Sequence, residues 1–194
     1  MLVKKRDELM NARIMGLIVL LLEIRGISLN PQGLKWKTLI FYTEISNMLA
    51  AVSAAALLIF GQPLWVTTLR YLSSCMLAMT FVVTVCVLVP MGGDPKRLLW
   101  SGIGLYHHLL CPVISTLSYI CIENSTGRNL TCLPVVVTLL YGLTMLYLNG
   151  IRKVDGPYPF LRVHDQSVKA TVLWIFGMLA LIAALSTLVW AAAG

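Results

Sequence analysis

The stretch Ala170-Thr171-Val172-Leu173-Trp174-Ile175-Phe176, which runs on to Gly194 without a charged residue, decides the class of this chain. A helix of about 20 apolar residues crosses the hydrocarbon core of a bilayer, and this run is long enough to do so. Working back toward the N-terminus, uncharged or nearly uncharged runs occur at 129–151, 98–122, 71–89, 38–60 and 14–29. Apolar residues make up 58% of the 194 and charged residues only 12%, a balance unsuited to an ordinary soluble domain. The sequence therefore predicts an all-α integral membrane protein, multi-pass, with residues 1–194 forming a single bundle of six transmembrane helices. The connections are short and carry helix breakers: Asn30-Pro31-Gln32-Gly33, Gly61-Gln62-Pro63, Pro90-Met91-Gly92-Gly93-Asp94-Pro95 and Ser125-Thr126-Gly127.

The net charge of +7 raises nucleic acid as a partner. The basic residues fall instead at the ends of apolar runs, where phospholipid headgroups lie, so the bilayer is the expected partner and nucleic acid is not. Lys4-Lys5-Arg6 is followed by Asp7 and Glu8, and no small-residue cleavage pattern closes the first run, so it is expected to be retained. Cys75, Cys86, Cys111, Cys121 and Cys132 show neither zinc nor redox spacing and read as small packing residues; no metal or cofactor is expected.

Six spans put both termini on one face, side A, and the loops 30–37, 90–97 and 150–166 on the other, side B. Polar groups then converge on the side B half, and the side A half is expected to be nearly all apolar. Thr43, Ser46 and Asn47, at i, i+3 and i+4, share one helix face, with Glu44 turned about 100° away. Arg25 and Glu44 come level near side B and are expected to pair. Within span 4, Pro112 lacks an N–H and frees the carbonyl of residue 108, kinking the helix so that His108, Cys111, Pro112 and Ser115 line one stripe. His108, rather than its neighbour His107, is expected to face the pocket with Thr43. Tyr158 and Arg162 read first as interfacial anchors. The sequons Asn124-Ser125-Thr126 and Asn129-Leu130-Thr131 lie in a short loop against the membrane, a poor acceptor context. Polar and titratable groups inside hydrocarbon are costly unless paired, which makes this constellation a functional candidate.

The combination of Phe41-Tyr42-Thr43-x-x-Ser46-Asn47, His108-x-x-x-Pro112 and Tyr158-Pro159-Phe160-Leu161 resembles the androgen-inducible membrane hydrolases and their bacterial six-span relatives. The resemblance covers nearly the whole chain in motif order. It implies a threonine hydrolase of fatty acid esters of hydroxy fatty acids or similar lipid esters, in the cell membrane if the chain is bacterial. Thr43 takes the place of the family nucleophile. The eukaryotic pattern sets the histidine base five residues before the proline, at His107, whereas the bacterial one sets it four before, at His108, and the wording of this chain is closer to the bacterial one.

The implied chemistry is physically coherent. A threonine hydroxyl attacks an ester only when a base takes its proton, and a neutral histidine does this near neutral pH. Asn47, one turn beyond Thr43, is the candidate oxyanion donor; Ser46, Glu44 and Tyr158 complete the candidate pocket. Glu44 and Glu23 are the carboxylates available to orient the histidine. The competing class is a small transporter or lipid-binding membrane protein using the same polar pocket, since intramembrane titratable groups also mark proton and ion pathways.

Overall fold

Backbone N–H and C=O groups have no water to bond in hydrocarbon, so an apolar chain of this composition meets its hydrogen-bonding needs within helices. The structure, a computed structural model, describes residues 2–30, 35–123 and 129–193. It is 80% helix, with no strand among the described residues. The long helices are α1 (Leu2–Ser28), α2 (Tyr42–Phe60), α3 (Leu64–Leu88), α4 (Gly102–Cys121), α5 (Cys132–Gly150) and α6 (Val168–Ala193). Five of them, α2 to α6, are long and apolar enough to cross a membrane. α1 is 27 residues long but carries Arg13, Glu23 and Arg25. The loop tips Pro31-Gln32-Gly33 and Ser125-Thr126-Gly127 and the sequon at Asn124 lie outside the described residues. At the other sequon, Asn129 Oδ1 accepts hydrogen bonds from Thr131 N–H and Oγ1–H at 3.1 and 2.7 Å, closing a tight turn before α5.

α3 lies at the centre and packs against α2, α4, α5 and α6, while α1 lies along α2 and α4. α3 starts at Leu64, seven residues ahead of the expected Tyr71, because Arg70 does not mark the end of an apolar run. It is fully buried, its guanidinium clasping Glu123 at 2.6 Å and donating to Ser53 and Ser115. Ser118 donates to the same carboxylate at 2.8 Å. The expectation of an apolar side A half is corrected by this buried network: Arg70 and Glu123 each supply the countercharge that the other needs in a dry interior.

Two π turns interrupt the α geometry, Thr84–Leu88 at the end of α3 and Leu105–Leu110 near the start of α4. In the second, Cys111 N–H reaches back to Tyr106 O, one residue further than an α-helical bond. The turn directly precedes Pro112, whose missing N–H already interrupts the α ladder there. A π turn takes up one more residue, so residues four apart come into line: His107, Cys111 and Ser115 are all buried on one stripe, and Ser118 continues it. That is why His107 turns inward. His108 is rotated off this stripe, its Nδ1 2.9 Å from the carbonyl of Leu98, which corrects the expectation that His108 faces the pocket with Thr43.

Candidate functional site

The first amides of a helix have no partner within it, and Phe41, the residue before α2, offers no side-chain cap. Two tyrosine hydroxyls take that role. Tyr42 N–H donates to Tyr141 Oη of α5 at 3.1 Å, and Thr43 N–H donates to Tyr158 Oη at 3.2 Å. Tyr141 in turn donates to Ile40 O at 2.7 Å. Tyr158 also stands 3.2 Å from Thr43 Oγ1, so its hydroxyl both caps the helix and engages the candidate nucleophile. Tyr158 is buried rather than anchored at an exposed interface. Its ring stacks on Phe160 at 5.2 Å and meets Phe41 edge-on at 6.2 Å. The turn that delivers it needs glycine at 156, where a Cβ would come within 2.7 Å of the Leu161 carbonyl oxygen. Burial raises the Tyr158 phenol above its ordinary pKa, with the bonds to Thr43 opposing the shift. The hydroxyl is therefore a proton-bearing group, not a phenolate.

Thr43 and Tyr158 line a cleft of about 750 Å³, its open mouth included, between α2, α3, α5 and α6. Tyr42, Thr80, Thr84, Thr138 and Tyr141 add further hydroxyls, and Met79, Leu139, Leu143, Leu146, Trp174 and Met178 are among its apolar walls. No lining residue carries a charge. Hydroxyls set among hydrocarbon walls suit a ligand with an uncharged polar group and an alkyl chain.

Behind this cleft, on the side of α2 toward α1, lies a second cluster. His107 Nδ1 is 3.2 Å from Glu44 Oε1, and His107 Nε2 is 3.9 Å from Glu23 Oε2. Glu44 thus pairs with His107 and not with Arg25, whose exposed guanidinium reaches Ser28 of its own helix at 3.5 Å. The imidazole fits because residue 26 is glycine: a Cβ there would overlap the His107 ring. Asn47 ties the two clusters together. Its Nδ2 donates to Thr43 O at 2.7 Å and to His107 O at 3.1 Å. Both amide hydrogens are thereby engaged, so Asn47 has none left to donate to an oxyanion. Ser46 donates to Thr43 O at 2.9 Å and meets Thr80 Oγ1 at 3.0 Å, bracing α2 against α3.

Thr43, Ser46, Asn47, Glu44, His107 and Tyr158 therefore gather at one end of the helices. The hydroxyl of Thr43 is bonded to Tyr158 and to neither histidine. Sequence reasoning missed the tyrosine caps, while Glu23 and Glu44, the carboxylates it left available to orient a histidine, both stand against His107. Tyr141 and Thr138 stand at i and i−3 on α5, and Glu23 and Gly26 at i and i+3 on α1, which is the signal that each pair shares a face. Comparison with known protein families, with characterised proteins and with solved structures gave no match.

Proposed function

We propose that this chain is a six-span membrane protein that hydrolyses lipid esters, such as fatty acid esters of hydroxy fatty acids, with Thr43 as nucleophile. The observation that carries the reading is the buried Thr43 hydroxyl in the wall of a largely apolar cleft, 3.2 Å from the Tyr158 hydroxyl. α1 serves as the sixth span. Ile14, Leu17, Leu21 and Ile24 are exposed along one of its faces at helical spacing, as a lipid-facing stripe requires, while Glu23 turns inward.

In this reading Thr43 Oγ1 attacks the ester carbonyl carbon and its proton passes to Tyr158 Oη. In the same concerted step Tyr158 hands its own proton to the departing alkoxide as the ester C–O bond breaks, giving an acyl-threonine and a free alcohol; water then reverses the relay and releases the fatty acid. A phenol that stays protonated suits a shuttle that never carries a full charge. Purified protein assayed with a long-chain ester and a covalent hydrolase probe tests this. Thr43→Ala is expected to abolish both turnover and labelling while the fold survives, since one buried hydroxyl contributes about 1 kcal/mol. Full turnover by a folded Thr43→Ala protein overturns it.

A second reading, a lipid-binding or transport protein, is favoured by one observation: both ring nitrogens of His107 face carboxylates and neither histidine touches Thr43. Saturable lipid binding by the wild type with no turnover selects it.

A further inference from the structure

Glu23, Glu44 and His107 play no part in the hydroxyl relay of the cleft, yet they are the costliest groups in this half of the molecule. Glu23 is 0% exposed and His107 1%. Neither oxygen of Glu23 has a well-formed hydrogen bond, nor has His107 Nε2 or Asn47 Oδ1. Four buried polar atoms on three helices are thus left with unused capacity, and those of Glu23 and His107 Nε2 face each other at 3.9 Å, where a structural network would have satisfied them. The Arg70–Glu123 cluster shows the contrast, with every guanidinium nitrogen bonded.

We propose that Glu44, His107 and Glu23 form a proton relay that loads a proton from the side B surface onto Glu23, inside the helix packing. The order follows from exposure. The Glu44 side chain keeps 12% of its surface accessible, His107 1% and Glu23 none, so Glu44 is the entry and Glu23 the terminus. An imidazole with one nitrogen toward each carboxylate can accept a proton on one side and release another on the far side. Glu44 protonates Nδ1 of an Nε2–H imidazole, and the imidazolium then releases its Nε2 proton to the Glu23 carboxylate. The ring is left as the Nδ1–H tautomer, and the reverse sequence resets it. The 3.9 Å gap from Nε2 to Glu23 Oε2 is too long for direct transfer and is closed by a ring displacement or one water.

The other titratable or charged neighbours do not compete for this role. On α4, His108 turns to Leu98 O and the Cys111 thiol lies alongside Glu23 as a weak donor. Arg25 of α1 is exposed, and Arg70 of α3 is held by Glu123. Tyr158 is bonded to Thr43. Because the Arg70–Glu123 network beyond is saturated, the relay ends at Glu23. Asn47, bonded to the carbonyls of both Thr43 and His107, links its state to the cleft, but the relay stands whether or not Thr43 attacks an ester.

The test is infrared difference spectroscopy of the full chain in lipid nanodiscs between acid and alkaline pH, in water and in deuterium oxide. The expected result is a carboxylic-acid C=O band that titrates, shifts on deuteration and is lost in Glu23→Gln. In His107→Gln and Glu44→Gln the band is expected to persist, with its deuterium exchange slowed more than about tenfold. These two variants keep Glu23 and carry the test should Glu23→Gln fail to fold. A band unchanged in Glu23→Gln, or exchange as fast in both His107→Gln and Glu44→Gln as in the wild type, overturns the relay.

Discussion

Replacing Tyr158 by phenylalanine removes one oxygen and nothing else. The ring keeps its stack on Phe160 and its edge contact with Phe41, so packing is preserved. Two interactions at 3.2 Å go: the cap on Thr43 N–H and the contact with Thr43 Oγ1. The Thr43 hydroxyl, in the first turn of α2, loses this contact. The amide has no helical acceptor, and an unsatisfied buried donor costs about 1–3 kcal/mol. The expected result is a clear fall in melting temperature in detergent. If Tyr158 shuttles the Thr43 proton, kcat on a long-chain ester falls by about 10²–10⁴ with KM little changed. The pH dependence supplies an independent check. The folded phenol pKa is raised above the ordinary value of 10.0, so the folded protein holds this proton when the unfolded chain has lost it. Its contribution to stability is fully present below about pH 10 and is lost as pH rises through the folded value, and Tyr158→Phe removes that part of the alkaline loss. An unchanged melt and unchanged turnover in Tyr158→Phe would refute both the capping and the shuttle.

Gly26→Ala is expected to destabilise the protein by about 1–3 kcal/mol, because the added methyl meets the His107 ring and forces α1 away from α4; thermal unfolding measures it, and wild-type stability counts against the packing described. Glu123→Gln is expected to cost about 3–5 kcal/mol by leaving the Arg70 guanidinium buried without its countercharge. The paired change Arg70→Met with Glu123→Leu is expected to recover most of that loss in the same unfolding assay.

The helices were legible in the sequence because hydrocarbon imposes length and composition together: five of the expected runs coincide with helices long and apolar enough to cross a membrane. The exception at α3 is instructive. Arg70 reads as an interfacial charge on a rule that places basic residues at span ends, and the rule gives way when a partner, here Glu123, comes from another helix. The partner of Glu44, expected to be Arg25, was not legible; the shared face of Thr43, Ser46 and Asn47 was, from helical spacing. Which histidine points inward was not. Adjacent residues on a helix differ by about 100°, and a π turn shifts the register by a residue, so the outcome rested on a backbone irregularity that apolar periodicity does not encode.

The two buried polar networks separate by how completely they are satisfied. At side A every hydrogen-bonding nitrogen of Arg70 has an acceptor, and the carboxylate of Glu123 is bonded by Arg70 and Ser118, an arrangement that fixes helix register and leaves nothing for a ligand. At side B the carboxylate of Glu23, Nε2 of His107 and Oδ1 of Asn47 have no well-formed hydrogen bond. Unsatisfied polar atoms in a dry interior carry a standing free-energy cost, about 1–3 kcal/mol each where the group is neutral. A fold whose buried ion pair is fully bonded at one end and whose buried acid is not at the other concentrates its chemistry around that acid. That end also holds the uncharged cleft with Thr43 and Tyr158, which is where the variants that separate cleavage from binding have to be made.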